Sequence, residues 1–536
     1  LKTASELDIE IGIFNSPGWS QSGGPWVNPE QAMRYLTSST VVLEGQQSVE
    51  IDLTPEHIKN DSKLFQHVKT IAYPAPKGWG EAPAVEIKIA EGGAKDISKL
   101  AAGKRNVLLL NMAEKAILRS LTLQPAGSPI LCKAQLDAEV DGEWKRVADF
   151  NIDRSNPALN VGFEPYAPVT VSFAAVECSR MRLTLEPSSQ MGGFSDVTLS
   201  AQPRIASYAE KSLAKMCQTP LPYWDHYMWL EQAELDDKAC AIDPKRVIDI
   251  SGRVDADGVL RWNVPNGKWV VLHTGMTPTG VTNSPATPEA TGLEIDKMSS
   301  AHVKSHFDAY IGEILRRIPA EDRRTFKVVV QDSYETGGQN FTDDMIAKFQ
   351  STYGYSMIPY LPAYYGMVVG DEQISDRFLW DLRRFIADRV AYEYVGGLKQ
   401  VSNEHGLTTW LECYGHWGFP GEFLQYGGRS DEIGGEFWSV GELGDIENRA
   451  ASSCGHIYGK QIISAEGFTE LRGVWDATPA TLKPLLDRNY ALGLNRLVYH
   501  VCTHNPWLDR RPGMTLDGIG LFFQRDNSWW RNGASA

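Results

Sequence analysis

The stretch VVVQDSYETGG, residues 328–338, passes directly from three apolar β-branched residues to a cluster of acids, an aromatic residue and two glycines. Such an apolar run predicts a strand buried on both faces, which is typical of parallel sheets covered by helices. Because parallel α/β folds carry their chemistry at the carboxyl ends of the strands, Asp332 and Glu335 lie where catalytic carboxylates are expected. The alternative is that Asp332 caps the next helix and Glu335 is solvated. A repeat of the pattern elsewhere favours the catalytic interpretation.

The same design, an apolar run followed by polar or aromatic residues and then a helical pattern, recurs along the chain. The runs are DIEIGIFNSPGW (8–19), KWVVLHTG (268–275), LTTWLECYGHW (407–417), DEIGGEFW (431–438), KQIISAEGF (460–468) and NRLVYHVCTHNPW (495–507). Helices are predicted between them over 299–318, 376–406 and 479–493. This alternation predicts an α/β fold, a (β/α)8 TIM-type barrel. Its first strand is expected upstream of Leu1, because SGGPWVNPEQAMRYL (22–36) has the pattern of a helix that follows a later strand.

Residues 37 to about 205 have a different pattern, with short alternating apolar runs separated by turn signals. Such runs predict antiparallel strands, and hence a β-sandwich inserted into the barrel. The predicted domains are therefore a barrel segment with the second βα unit (1–36), the sandwich (37–205) and the rest of the catalytic barrel (206–536). The sandwich either supports the barrel or binds carbohydrate.

Composition limits the function classes. The 536 residues have a formal net charge of −15, which argues against nucleic acid or an anionic membrane surface as partner. No run is long and apolar enough for a transmembrane helix. The first residues, which begin with a leucine, lack the charged-then-apolar pattern of a signal peptide. The seven cysteines have no zinc-binding spacing and are predicted to be free thiols. The sequence also lacks a dinucleotide fingerprint, a phosphate-binding loop and a serine-hydrolase elbow.

Four of the strand ends carry a glutamate in an aromatic or glycine-rich setting: Glu335, Glu412, Glu436 and Glu466. Cleavage of a glycosidic bond needs two carboxyl groups, one to protonate the leaving oxygen and one to activate water or attack carbon. Glu335 lies beyond a strand beside Tyr334, and Glu466 follows two small residues that leave space for a substrate. These two glutamates are therefore predicted to be the catalytic acid and base.

Side chains suited to contact a sugar surround the same strand ends. Histidines would bind hydroxyl groups and aromatic rings would pack on the sugar faces, although either kind also occurs in ordinary core packing. The predicted substrate-binding residues are Asn15, Trp19, Trp26, Tyr334, His416, Trp438, His500, His504 and Trp507.

Several long motifs, in order, resemble α-L-rhamnosidases of glycoside hydrolase family 106. They are GWSQSGGPWVNPEQAM (18–33), TPTGVTNSPATPEATGLEIDKMS (277–299), VVQDSYE (329–335), SAEGF (464–468) and HNPWLDRRPGMTLDGIGLFF (504–523). The resemblance covers nearly the whole chain. It implies a (β/α)8 barrel interrupted by β-domains and an exported bacterial enzyme, secreted or periplasmic. Such an enzyme releases terminal α-L-rhamnose from plant glycans with inversion.

The resemblance also implies residue roles. Glu335 matches the family's acid, Glu466 matches its base, and a calcium ion is expected to engage sugar hydroxyls. Glu412 and Glu436 are the predicted calcium ligands, with Asn15 as a further oxygen donor, although either acid could bind the sugar directly. The family's first strand and its C-terminal β-domains are expected to lie outside this chain.

Two alternatives remain from the sequence. A retaining exo-glycosidase on a similar barrel would use Glu466 as a nucleophile. A non-catalytic carbohydrate-binding protein would keep the aromatic loops and lose a catalytic acid, whereas both candidates are present here. An oligosaccharide or glycoside is the expected partner under every hypothesis, and the oligomeric state is open.

Overall fold

The computed structural model describes residues 1–20, 22–55, 63–216, 229, 231–413, 420–439, 445–471, 475–510, 516 and 518–533. Within these residues the strands are β1 Ile11–Phe14, β2 Arg34–Glu44, β3 Ser48–Asp52, β4 Gln66–Pro74, β5 Val85–Glu91, β6 Asn106–Pro125, β7 Ile130–Val140, β8 Glu143–Arg154, β9 Val169–Leu185, β10 Phe194–Ser200, β11 Ile248–Asp249, β12 Val259–Asn263, β13 Lys268–Pro278, β14 Phe326–Gln331, β15 Thr408–Glu412, β16 Glu432–Trp438, β17 Ile463–Thr469 and β18 Arg496–Tyr499.

The α-helices of the same residues lie mainly between the strands of the second half. They are α1 Lys2–Leu7, α2 Tyr208–Lys211, α3 Ser300–Ala309, α4 Ile311–Arg317, α5 Met345–Tyr353, α6 Glu372–Arg389, α7 Gly396–Glu404, α8 Phe423–Gly428, α9 Ile446–Tyr458, α10 Pro479–Ala491 and α11 Trp530–Gly533. A π-helical turn, Val390–Val395, joins α6 to α7. The three helical regions predicted from periodicity are confirmed. None of the helices in the described ranges is long and apolar enough to cross a membrane.

A parallel sheet positions the candidate site. Its strand order is β1-β14-β15-β16-β17-β18, with every neighbouring pair parallel. Helices lie between consecutive strands of this sheet in the sequence, and the sheet curls into a half barrel. The α/β class is therefore confirmed, whereas a full eight-stranded barrel is not shown.

One face of this sheet packs on the helices. Val329, Leu411, Ile433 and Ala465 alternate with the strand-end acids along their strands and are buried in one core with residues of α6 and α7. Because successive side chains of a strand point to opposite faces, the acids, which lie one or three positions away, project from the other face of the half barrel.

The residues between β1 and α3 form antiparallel sheets. One has the order β10-β6-β9-β7-β8, with β5 also paired to β6, and encloses its own hydrophobic core. A four-stranded sheet, β11-β4-β13-β2, and the pair β12-β3 complete this region. The prediction of antiparallel strands is confirmed, but they run from Arg34 to Pro278, beyond the predicted range 37–205, and two separate layers of a sandwich are not shown.

Two sequence predictions are wrong. Residues 268–275 belong to β13, which pairs antiparallel with β2 and β4 and is not a barrel strand. Its side chains are buried on both faces, and this burial gives the same continuous apolar run as a parallel strand. The helix predicted over 22–36 is also absent, because the described part contains one 3₁₀ turn, Pro29–Gln31, and then β2 begins at Arg34.

Candidate active site

Strand register places four carboxylates on one face of the sheet. Glu436 is directly paired with Glu466, and Glu412 is paired with Gly434, two residues before Glu436. Asp332 follows Gln331, whose partner Leu411 precedes Glu412. Since residues paired across parallel strands point to the same side, these acids project together from the carboxyl ends of β14 to β17.

Exposure divides the acids into two groups. Glu335 and Glu466 are partly exposed, whereas Asp332, Glu412 and Glu436 are only 8%, 2% and 6% exposed. A group that exchanges protons with a substrate must be reachable from solvent, so the structure favours Glu335 and Glu466 for that role.

Two donors hold the Glu335 carboxyl group. The indole Nε1 of Trp19 donates to its Oε2 at 3.2 Å, and the Ser333 hydroxyl donates to its Oε1 at 3.0 Å. Glu335 lies in the loop after β14, and Trp19 lies in the loop after the neighbouring strand β1. The structure therefore brings together one predicted acid and one predicted substrate-binding residue.

Glu466 lies within β17, where the strand becomes irregular. Phe468 has a positive φ of 70°, and the pairing of β17 with β16 shifts register at this point. Such irregularities re-aim side chains at strand ends. The Thr469 hydroxyl donates to Glu466 Oε1 at 2.7 Å, and His500 Nδ1 is 3.8 Å from the same oxygen. The predicted residue His500 is thus beside the predicted base.

A buried acidic cluster lies beside these two glutamates, and we define it as Glu412, Glu436 and Glu447. Their oxygens all lie within 4.8 Å of one another. The Trp438 indole donates to Glu436 Oε2 at 2.8 Å, which places this predicted residue at the cluster. Among the described residues, Glu412 Oε1 and Glu436 Oε1 have no hydrogen-bond partner, and neither side chain forms an ion pair there with a lysine or arginine.

Burial and mutual repulsion favour a neutralising partner for this cluster. Burial raises the pKa of Glu412 well above its usual range, and the charges of Glu436 and Asp332 raise it further. Burial likewise raises the pKa of Glu436, as do the charges of Glu447 and Glu466. The pKa of Asp332 is raised by burial and by Glu466, although a hydrogen bond with the Glu412 side chain opposes this shift. Oxygen atoms at this density are what a hard divalent cation binds.

The sequence did not single out Glu447, Ser333 or Thr469. Glu447 lies in the first turn of α9. Its position beside β16 depends on how α9 packs against the sheet, which no local sequence pattern predicts. The would-be Cβ of Gly435 lies 3.0 Å from the Glu447 backbone, so the absence of a side chain at Gly435 permits this approach. Thr469, by contrast, is three residues from Glu466, and its spacing was a usable signal.

Two other predicted binding residues, Asn15 and Tyr334, are buried and do not line the face of the sheet that carries the acids. Tyr334 is 0% exposed and donates its hydroxyl proton to the Gly337 carbonyl at 3.1 Å, so it supports the loop and offers a substrate no surface. Asn15 is 1% exposed and donates to the Ser22 hydroxyl at 2.6 Å, and Ser22 in turn contacts Tyr394 of the helix layer. Both side chains are thus buried in this structure, and the substrate contacts predicted for Asn15 and Tyr334 stay predictions.

The remaining predicted residues differ in their surroundings. Trp26 stacks on Tyr310 and donates its indole proton to His306, so it packs against α3 and α4. His504 and Trp507 are exposed, and the Arg510 guanidinium lies 5.0 Å from the Trp507 ring. Their contacts with a substrate stay predictions. His416 lies outside the described residues.

The burial of His306 is expected to make the free energy of unfolding depend on pH. It is buried, its Nδ1 accepts from the Trp26 indole, its Nε2 donates to the Asn15 carbonyl, and burial lowers its pKa to about 4. The unfolded chain, with a pKa near 6.5, then binds a proton that the folded chain does not, so stability falls as pH falls from about 6.5 towards 4. We expect His306 to account for about 2 kcal/mol of lost stability at pH 5.

Chemical denaturation at pH 5, 6 and 7 tests this expectation. His306→Gln should flatten the dependence by that amount, whereas His456→Gln, an exposed position on α9, should leave it unchanged. An unaltered pH dependence in His306→Gln would contradict the assignment.

Comparisons with known proteins agree with the fold and identify the family. Residues 1–536 match the sequence model of the α-L-rhamnosidase family, glycoside hydrolase family 106. The solved structure of a rhamnosidase from Novosphingobium sp. PP1Y superposes with a TM-score of 0.80 at 28% identity, over 99% of this chain and 52% of that one. A Formosa agariphila protein named "Putative beta-glucuronidase" is 34% identical over 530 residues, which are 99% of this chain and 34% of that protein.

The chain thus spans about half of the Novosphingobium rhamnosidase and about a third of the Formosa protein. The match to the family extends over every strand of the half barrel and over both candidate catalytic glutamates. The chain belongs to glycoside hydrolase family 106, the α-L-rhamnosidases.

Proposed function

We propose that this chain is the catalytic part of an inverting exo-acting glycosidase that releases terminal α-L-rhamnose from plant-type glycans. The observation that carries the proposal is the accessibility of two carboxylates, Glu335 and Glu466, at the ends of β14 and β17 beside a buried acidic cluster. The family to which the chain belongs supports the sugar.

Each glutamate has one chemical role. Glu335 donates a proton to the glycosidic oxygen while the bond from that oxygen to the anomeric carbon breaks, and the electron pair stays on the oxygen. Glu466 accepts a proton from a water molecule whose oxygen bonds to the anomeric carbon from the opposite face. One water is consumed, the anomeric configuration inverts, and solvent returns each glutamate to its starting protonation state.

The surroundings of Glu466 suit a base. The Thr469 hydroxyl at 2.7 Å fixes one oxygen, so the other oxygen can accept the proton of a water molecule. His500, 3.8 Å from the fixed oxygen, is close enough to bind a sugar hydroxyl or the same water. The retaining alternative uses the same residue as a nucleophile, and it differs in the stereochemistry of the product.

We also propose that the acidic cluster holds a calcium ion. Its residues fit, because Glu412 and Glu436 each present a buried carboxylate oxygen without a hydrogen-bond partner among the described residues, and Glu447 lies within the same 4.8 Å group. Calcium accepts six to eight oxygen ligands, so sugar hydroxyls can complete its coordination. When bound, the ion supplies positive charge that orients the sugar and neutralises the buried acids.

The product anomer tests the stereochemistry. With 4-nitrophenyl α-L-rhamnoside followed by proton NMR, we expect β-L-rhamnose to appear first and to equilibrate later with the α anomer. Initial formation of α-L-rhamnose would instead identify a retaining enzyme with Glu466 as its nucleophile.

The name of the Formosa relative gives a second candidate substrate. The same assay with 4-nitrophenyl β-D-glucuronide distinguishes the two sugars. Faster hydrolysis of the glucuronide would replace rhamnose in the proposal without changing the roles of the glutamates. Binding of rhamnosides without any turnover would favour a carbohydrate-binding protein.

Two further parts of the proposal concern the wider molecule. The six parallel strands with helices between them support a complete (β/α)8 barrel, which an experimental structure of the full-length protein with fewer than eight parallel strands would disprove. Export, secreted or periplasmic, stays a prediction from the resemblance, and detection of the native protein only in the cytoplasm would contradict it.

A further inference from the structure

The loop after β1 is hydrogen-bonded to the segment before α3, which the proposed chemistry does not use. The backbone N–H groups of Trp19 and Ser20 both donate to the Ser284 carbonyl, at 3.1 and 2.9 Å, and the Ser284 N–H donates to the Ser20 hydroxyl at 2.7 Å. The Asn283 side chain donates to the Pro17 carbonyl at 2.9 Å. Residues 283–297, which we call the brace, therefore fix the backbone that carries Trp19.

A buried ion pair anchors the brace. Glu294 accepts from the Ser20 hydroxyl at 2.9 Å, from the Ser22 N–H at 3.2 Å and from Lys297 Nζ at 2.7 Å. Glu294 and Lys297 are both 0% exposed. Since removal of one partner from a buried pair leaves an uncompensated charge, this arrangement holds the loop in one position.

Close packing allows the loop little freedom. Gly18 has a positive φ of 87°, and a Cβ atom there would lie 2.4 Å from the Pro285 carbonyl oxygen. Only glycine accommodates both features. The loop and the brace thus meet backbone to backbone directly before Trp19.

This bracing places the Trp19 indole against the carboxyl group of the proposed acid. The Trp19 indole donates to Glu335 Oε2 at 3.2 Å, while Ser333 lies 3.0 Å from Oε1. An indole N–H can only donate, whereas a serine hydroxyl can donate or accept. Oε2 is therefore held as an acceptor. Oε1 can carry the proton, because its partner, the Ser333 hydroxyl, can either donate or accept.

We propose that Trp19, held by the brace, is a positioning residue that directs the transferable proton of Glu335 to Oε1. This inference rests on the proposed function, in which Glu335 is the acid. As the proton passes from Oε1 to the glycosidic oxygen, the bond from that oxygen to the anomeric carbon breaks and negative charge develops on the Glu335 carboxylate. The indole hydrogen bond to Oε2 strengthens with that charge, so it stabilises the transition state more than the ground state.

The dependence of the rate on the leaving group tests the proposal. Trp19→Phe keeps an aromatic ring and removes the N–H. We expect kcat on a rhamnoside with an alkyl or sugar aglycone, which requires protonation, to fall roughly 10- to 30-fold with KM unchanged. On 2,4-dinitrophenyl α-L-rhamnoside, whose leaving group needs no proton, kcat should change less than about twofold.

Three variants complete the design. Trp380→Phe, at an exposed position on α6, should match the wild type on both substrates. In Ser333→Ala, kcat on the substrate with the poor leaving group should fall as it does in Trp19→Phe. Ser333→Thr keeps the hydroxyl and should recover most of that loss. Glu335→Gln removes the acid itself, so it should show the largest difference in kcat between the substrate with the poor leaving group and the one with the good leaving group.

The outcomes separate the hypotheses. A higher KM of equal size on both substrates in Trp19→Phe would make Trp19 a sugar-binding platform and overturn the proposal, as would wild-type rates on both. If Glu335→Gln itself shows no leaving-group selectivity, the assignment of the acid fails, and with it the proposed function. Selectivity in Glu335→Gln without selectivity in Trp19→Phe overturns the positioning role alone.

Discussion

Replacement of Glu466 by glutamine is expected to lower kcat on every rhamnoside by about 10²- to 10⁴-fold, because glutamine cannot accept the proton of the attacking water. The change keeps the size of the side chain, and its amide can still accept from Thr469 through its carbonyl oxygen. KM should change little, since the loss falls on the chemical step.

The same replacement at Glu335 should give a different signature. Loss of the acid slows substrates with poor leaving groups by about 10²- to 10⁴-fold and spares those with good ones, whereas loss of the base slows both. Steady-state kinetics with two aglycones measure this difference. Glu432→Gln is the matched control, because Glu432 begins β16 at the opposite end of the sheet and pairs with the exposed Arg496.

Two results would contradict the assignment of roles. Full activity in both glutamine variants would place the chemistry elsewhere on the sheet, with Asp332 the first residue to examine. A leaving-group dependence that appears in Glu466→Gln and is absent in Glu335→Gln would reverse the acid and the base.

The sequence predicted correctly the strands whose apolar composition follows from their own burial in a parallel sheet. The apolar run before Asp332 and the runs before Glu412, Glu436 and Glu466 all form parallel strands, because burial on both faces imposes a continuous apolar composition. The same reasoning failed at β13, since antiparallel neighbours and two covered faces impose that composition equally. Strand direction depends on partners that lie far away in the sequence.

The site shows a similar division. Glu335 and Glu466 could be selected from strand ends alone, whereas the inward turn of Tyr334 depends on packing around the loop. Glu447 joins Glu412 and Glu436 only because α9 returns across β16. The role inferred for Trp19 rests on a hydrogen bond between residues 316 positions apart. Contacts of this range have no signature in a single sequence.

Removal of calcium is expected to lower both activity and stability. If Glu412, Glu436 and Glu447 bind the ion, saturation at about 100 times Kd stabilises the folded chain by about 2.7 kcal/mol, so Tm should fall by a few degrees after chelation. Activity on 4-nitrophenyl α-L-rhamnoside should fall by about 10- to 100-fold and return when calcium is restored. Magnesium should restore less, because it prefers fewer ligands in a stricter geometry.

The direction of the change in Tm caused by one substitution, Glu436→Gln, shows whether calcium or protons neutralise the acidic cluster. Glu436 is 6% exposed and lies among carboxylates, so in chelator Glu436→Gln removes repulsion and should raise Tm above that of the wild type. In calcium the same substitution removes a ligand, so the wild type should be the more stable protein. This reversal of order, with Glu432→Gln unchanged in its response to calcium, is the expected result. If Glu436→Gln is the more stable protein in both conditions, protons neutralise the cluster and the calcium proposal is wrong.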